Sequence, residues 1–225
     1  MAATASGTAT VERRIPLTRR RVLEAAVELA DRHGIEAVSM RRLGQELGIE
    51  AMSIYTHVRS KEDLLGGMVE VVIGQVPTQR ARGDWKRSLR RTIMAARAVL
   101  LRHPWAPRLI EDLSEPGPAM MRHFDSVIGL LREGGFSLEM THHALHLLGS
   151  RVLGFTQELF DDSPDLDPEA AATLAERIGA TLPYVAEMAL AATHEGGLGG
   201  CDTDVEFEFS LDVILDGLER LRDAA

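Results

Sequence analysis

Cysteine is almost absent: Cys201 stands alone among 225 residues, so no intrachain disulfide framework can form, and the chain suits a reducing, cytoplasmic setting. Lysine is nearly as scarce, two of 25 basic residues, which leaves phosphate contacts mainly to arginine. No run approaches the ~18 to 20 apolar residues that a membrane span requires, so no membrane partner is expected. The opening MAATASGTATVE has no apolar core of the kind a secretory signal carries, and residues 1–14 read as a disordered tail. Alternation of apolar and polar residues is lacking, β-branched runs are short, and no internal repeat recurs. Also missing are a glycine-rich phosphate loop, a nucleophile elbow and a zinc constellation. No cofactor, no metal and no enzymatic activity are therefore expected; the runner-up reading is an enzyme with its catalytic residues elsewhere or a simple ligand carrier.

What is there is an ordinary soluble composition, 45% hydrophobic and 26% charged, with room for one small and one medium domain. The net charge of −9 divides unevenly: residues 1–61 carry ten basic and seven acidic side chains, and residues 62–225 carry 15 and 27. A phosphate-binding module would sit at the basic end. Apolar residues recur at helical spacing nearly throughout, which gives an all-α class. Thr18 caps a first helix with the stripe Val22, Leu23, Ala26, Val27, Leu29 and Ala30, and Gly34 ends it. Ser39 caps a second helix to Leu47, Gly48 makes a tight turn, and a third helix spans 50–58. Ser60-Lys61-Glu62-Asp63 reads as a capping box opening a fourth helix over 60–75. Beyond a linker at 77–83, helices are expected at 85–102, 108–113, 119–133, 137–160, 169–179, 183–193 and 205–222. The acidic stretch DDSPDLD at 161–167 lacks EF-hand spacing and reads as a solvated loop.

Segment 39–61, SMRRLGQELGIEAMSIYTHVRSK, joins two short helices through a glycine, the shape of a helix-turn-helix. Ala51, Ile54 and Val58 share the inward side of its second helix. Met52, Ser53 and Thr56, with His57 beside them, share the other, which carries no acid. Carboxylates there would repel phosphate, whereas hydroxyls can bond base edges or phosphate oxygens and Met52 can meet a thymine methyl. By spacing alone, exposed positions on a small helical bundle would read the same way. The strings AAVELADRHGIEAVSMRRLGQELGI and SIYTHVRSKEDLL resemble the DNA-binding domain of the tetracycline-repressor (TetR) family, over residues 18–72.

This resemblance implies an N-terminal three-helix DNA-binding domain with its linking helix at 15–75. A larger C-terminal helical domain at 84–225 would bind ligand and dimerise. Ser39 and Arg41 would hold the phosphate backbone, Met52, Ser53 and Thr56 would approach bases, and Tyr55 and His57 would anchor phosphates. Lys61 and the start of the fourth helix would take a further phosphate. Arg13, Arg14, Arg19, Arg20 and Arg21 form either an arm on DNA or a solvated run. The implied partners are double-stranded operator DNA, a second copy of the chain and a small-molecule effector. Two recognition helices ~34–36 Å apart would require a palindromic operator, as a repressor or an activator could use.

Asp84-Trp85, LRHPW at 101–105, Gly134-Gly135-Phe136-Ser137 and FEFSLDVILDGLERL at 207–221 resemble the members whose sensor is related to tetracycline repressor itself. That likeness implies a four-helix dimer interface through Leu148, Gly149, Val152, Phe209, Val213, Leu215 and Leu218. The histidines that hold the drug–magnesium complex in tetracycline repressor have no counterparts, since Pro77 and Ile110 stand there, so tetracycline is not expected as the ligand. Trp105, Met120, Met121, Phe124, Met140, His146, Phe155 and Met188 would make an adaptable pocket lining, or plain core. His142 and His146, four apart with His143 between, suit two metal ligands by spacing, yet nothing completes a metal motif. Pocket polarity and a surface position are the alternatives for them.

Overall fold

The computed structural model describes residues 16–78, 83–154, 168–192 and 203–224. The expected tail at 1–14, Arg13 and Arg14, DDSPDLD, Phe155 and Cys201 lie outside the described residues. Among the described residues there are eleven α-helices and no strand.

Local caps start the first helices where the sequence marks them. Thr18 Oγ1 accepts the Arg21 N–H and opens α1 (Arg19–His33), which Gly34 ends. Ser39 Oγ accepts the Arg42 N–H at the head of α2 (Met40–Leu47). Gly48 then turns the chain at φ +65°, a left-handed geometry that a β-carbon would strain. The next helix, α3 (Ala51–Ile54), is shorter than the expected 50–58. Past Ile54 the chain tightens into turns: the His57 N–H bonds Ile54 O, and the Thr56 hydroxyl donates to Ser53 O. Ile54 and Val58 are nonetheless fully buried. Ser60 caps α4 (Lys61–Ile73) by accepting the Asp63 N–H. The reciprocal half of the expected capping box is not made. The Asp63 carboxylate is held by the Arg19 guanidinium at 2.6 Å and takes the Arg59 N–H at 2.8 Å instead.

The remaining helices are α5 (Trp85–Arg102), α6 (Ala106–Asp112), α7 (Pro118–Glu133), α8 (Leu138–Gly154), α9 (Pro168–Gly179), α10 (Pro183–Ala192) and α11 (Thr203–Asp223). Helix α4 packs on α1 on one side and on α5, α6 and α7 on others. It therefore buries residues all round: Leu64, Met68, Val69, Val72 and Ile73. Gly67 brings α1 close, since a β-carbon there would lie 2.5 Å from Leu23 Cδ2. Burial stabilises by roughly 1.5–3 kcal/mol per side chain of this size, so α4 cannot part from either neighbour cheaply.

Around α4 the C-terminal helices build a bundle. Helix α11 buries Phe207, Leu211, Leu215 and Leu218 and packs on α5 and α8. Opposite charges align α5 with α11: Lys86 Nζ lies 2.6 Å from both Asp216 and Glu219, and Arg90 reaches Glu208 at 2.8 Å and Asp212 at 2.9 Å. Arg97 pairs with Asp204 and covers the Phe207 ring. The more exposed pairs, those of Lys86 and Arg90, contribute little each and serve mainly to fix register. Helices α9 and α10 form a hairpin packed chiefly on itself.

Candidate nucleic-acid interface and the cavity behind it

The two short helices and the turns after them present one continuous exposed surface. Ser39, Arg41, Met52, Ser53, Tyr55, Thr56 and Lys61 are exposed and His57 is half-buried, while Leu43, Ile54 and Val58 anchor the element from within. Met52 is 72% exposed, an unusual position for a methionine unless something covers it. Thr56 spends its hydroxyl hydrogen on Ser53 O, 2.7 Å away, so toward a partner it can only accept. The charge of Asp63, in the first turn of α4, is compensated: Arg19 first, then the Arg59 N–H, hold its carboxyl down at about 2. Arg19 also donates to the His57 carbonyl at 2.8 Å, tying α1 to the turn that carries His57. Of the arginines read as an arm on DNA or a solvated run, Arg19 bonds Asp63 and the His57 carbonyl, and Arg20 pairs with Glu24 on an exposed turn of α1.

Behind this module lies an apolar cavity of about 100 Å³. Ile73 and Val76, from the end of α4 and the turn after it, form one wall. Ile93, Ala96 and Leu100 of α5, Ile110 of α6, Met120, His123, Phe124 and Val127 of α7, and Leu145, Leu148 and Gly149 of α8 form the others. Of the lining residues expected from sequence, Met120 and Phe124 are in place. Trp105 is not: its Nε1–H donates to Asp31 of α1 at 2.7 Å, beside His103 Nδ1, which is 2.8 Å from the same oxygen. Met121 is 53% exposed and His146 is exposed on α8. Met140 borders a separate cleft with Arg132, Phe136, Ser137, Leu221 and Arg222. Phe155 and the side chain of Met188 lie outside the described residues. His123 escaped the sequence reading although its spacing from Met120 and Val127 places it on one helical face with them. His142 and His146 stack edge-on with ring centres 4.6 Å apart on the exposed side of α8. Among the described residues no group of three or more His, Cys, Asp or Glu is placed to hold a metal ion.

Residues 76–222 match the profile of the tetracyclin repressor-like C-terminal domain, and residues 22–68 that of the bacterial regulatory proteins of the tetR family. The chain belongs to the TetR family. It is 31% identical over 214 residues to the HTH-type transcriptional repressor DrrR1 of Streptomyces coeruleorubidus, covering 91% of this chain and 78% of that relative. Among solved structures, apo ActR from Streptomyces coelicolor superposes with a TM-score of 0.78 at 27% identity, over 94% of this chain and 99% of that one. ActR in complex with actinorhodin superposes at 0.73 and 26% identity, over 92% and 99%. No described helix of this TetR-family chain is long and apolar enough to cross a membrane.

The residues that the TetR likeness assigns to dimerisation divide into two groups. Phe209 and Val213 are 66% and 52% exposed on α11, and Leu147 of α8, not foreseen, is also exposed. Leu215 and Leu218 instead face the chain's own core, and Leu148 is buried against the cavity that Gly149 also lines. The reason is periodicity: Thr141, Ala144 and Leu148 make the inward stripe of α8, and Phe207, Leu211, Leu215 and Leu218 that of α11. Val152 carries a side chain outside those described.

Proposed function

We propose that this TetR-family regulator is a cytoplasmic repressor that grips a palindromic operator as a homodimer and lets go when a small molecule occupies the cavity. The observation that carries this reading is the double position of α4. Its first residue, Lys61, belongs to the exposed surface of the DNA-binding module, and its far end supplies Ile73 and Val76 to the cavity wall. Ligand pockets usually measure ~300–1,000 Å³, so a cavity of about 100 Å³ supports a reading in which most small molecules displace a wall as they enter. Displacing the α4 wall tilts the helix that supports the recognition element, and a change in spacing between two such elements breaks their match to DNA. A hundredfold loss of operator affinity needs about 2.7 kcal/mol of coupling, which requires that much preference of the ligand for the released form. ActR, a relative of the same fold solved with actinorhodin, supports a small-molecule effector. DrrR1, which bears the name of a repressor, supports the direction of control. No catalytic role is assigned.

Gel retardation tests the reading. The purified protein should select palindromic duplexes from a random pool, with affinity falling steeply as salt rises. Failure to prefer any duplex over bulk DNA at any salt concentration would return the chain to the carrier alternative.

A further inference from the structure

Among the described residues, His123 is the single hydrogen-bonding side chain in a wall otherwise made of aliphatic, aromatic and thioether groups. It follows Met120 by three residues and precedes Val127 by four, so all three share the stripe of α7 that borders the cavity. Among the described residues no charged side chain lines the space. His123 Nδ1 is buried and has no hydrogen-bond partner among the described residues. Buried polar atoms are nearly always paired, so an unpaired one on a side chain that lines a cavity points to a group that arrives from outside. Burial pushes the imidazole pKa down, which keeps the ring neutral at pH 7. A neutral imidazole offers one N–H and one lone pair. An incoming carboxylate or ammonium would find no opposite charge and would be desolvated without compensation. At about 100 Å³ the cavity is smaller than a ~150 Å³ engineered cavity that takes up benzene, so a single ring demands the least movement of the walls.

We infer that this cavity selects uncharged, single-ring or similarly compact apolar compounds bearing one hydroxyl, and that His123 is the residue that reads the hydroxyl. This rests on the cavity being the effector site. The hydroxyl pairs with the His123 imidazole while the ring of the compound lies among Ile93, Leu100, Ile110 and Leu148.

The test uses phenol, toluene and benzoate as probes on the full chain, by calorimetric titration and thermal shift. Phenol should bind about tenfold more tightly than toluene, the difference of one neutral hydrogen bond, and benzoate should not compete. In His123→Leu the order should invert, and the ligand-free variant should melt higher, because an unpaired buried atom has been removed. His123→Gln, which keeps a polar group, should retain a preference for phenol. Equal affinities of the wild-type protein for phenol and toluene would overturn the role of His123 while leaving the cavity as the effector site. No binding of either probe to the wild-type protein would overturn both. The wild-type comparison needs no variant, so it decides between these outcomes even if His123→Leu folds poorly.

Discussion

The backbone N–H of Ala119 donates to Glu70 Oε2 across 2.7 Å, so a side chain of α4 caps the start of α7. Gly117, at the cap position, has no side chain to do so, and Pro118 has no N–H. Glu70 fits tightly there: a β-carbon on residue 117 would meet Glu70 Oε1 at 2.3 Å, and that oxygen is buried without a partner among the described residues. The helix that reaches the DNA-binding module thus grips the helix that carries Met120, His123, Phe124 and Val127 into the cavity.

Removing this grip should weaken both the fold and the signal. Glu70→Ala should cost about 1 kcal/mol, as loss of a helix cap does, and Glu70→Gln less, because an acceptor remains while the charge at the helix head is gone. Thermal midpoints should rank wild type, Glu70→Gln, Glu70→Ala. Operator release by phenol, read by fluorescence anisotropy of a labelled duplex, should need more ligand in Glu70→Ala than in the wild-type protein. An unchanged release curve alongside a lowered midpoint would make Glu70 a purely structural cap.

Asp63 makes a pH-dependent contribution to the DNA-binding module. Its carboxyl is held down from 3.8 to about 2, chiefly by Arg19. A depressed carboxylate stabilises fully above its unfolded value and loses that contribution as pH falls, here between about pH 4 and pH 2. Asp63→Asn should therefore be less stable than the wild-type protein at pH 7, with the gap closing as the pH drops through that window. Urea midpoints of the two proteins at pH 7, 4, 3 and 2 check this; a gap that stays constant would remove the ion pair as its source.

On DNA, the exposed residues should separate by chemistry. Lys61→Ala should weaken all sequences alike and reduce the salt slope by about one. Met52→Ala should relax discrimination at one base pair, by about 1–3 kcal/mol. Tyr55→Ala and Thr56→Ala should weaken operator binding with the dimer intact. Binding measured on operator variants at several salt concentrations distinguishes these behaviours, and a Met52→Ala effect uniform across sequences would remove that residue from base reading.

Helix α11 offers a matched pair of charge insertions. Phe209→Asp should convert dimer to monomer in sedimentation velocity while helical circular dichroism stays unchanged, since Phe209 is exposed within the chain. A central aromatic of an interface is worth about 2 kcal/mol or more. Leu215→Asp should instead lose cooperative unfolding, because Leu215 is buried among the chain's own helices. Monomer formation by neither variant would place the interface elsewhere.

Helix starts and stops were legible because they are written within a few residues: the hydroxyls of Thr18, Ser39, Ser60 and Ser137 each sit three residues before the N–H they accept. Gly34 and Gly48 supply positive φ angles at the expected turns. The exposed side of 52–56 was legible for the same reason, since buried Ile54 and Val58 fix it. The length of α3 was not, because it depends on how the Thr56 hydroxyl and the His57 N–H bond once the turn closes. Still less legible was the cavity, which α5, α6, α7, α8 and the end of α4 line together. Trp105 shows the difficulty: its indole N–H is spent on Asp31, 74 positions earlier, a pairing that no local pattern announces.

The placement of Ile73 and Val76 limits how such a regulator could be retuned. Substitutions on α5, α7 or α8 alter what the cavity accepts at a distance from the recognition element, whereas the same change on α4 also re-aims the support of that element. A lineage acquiring taste for a new compound would therefore drift fastest on the walls remote from α4 and hold positions 73 and 76 nearly fixed. An engineer seeking a biosensor for a new compound has the same freedom and the same forbidden wall.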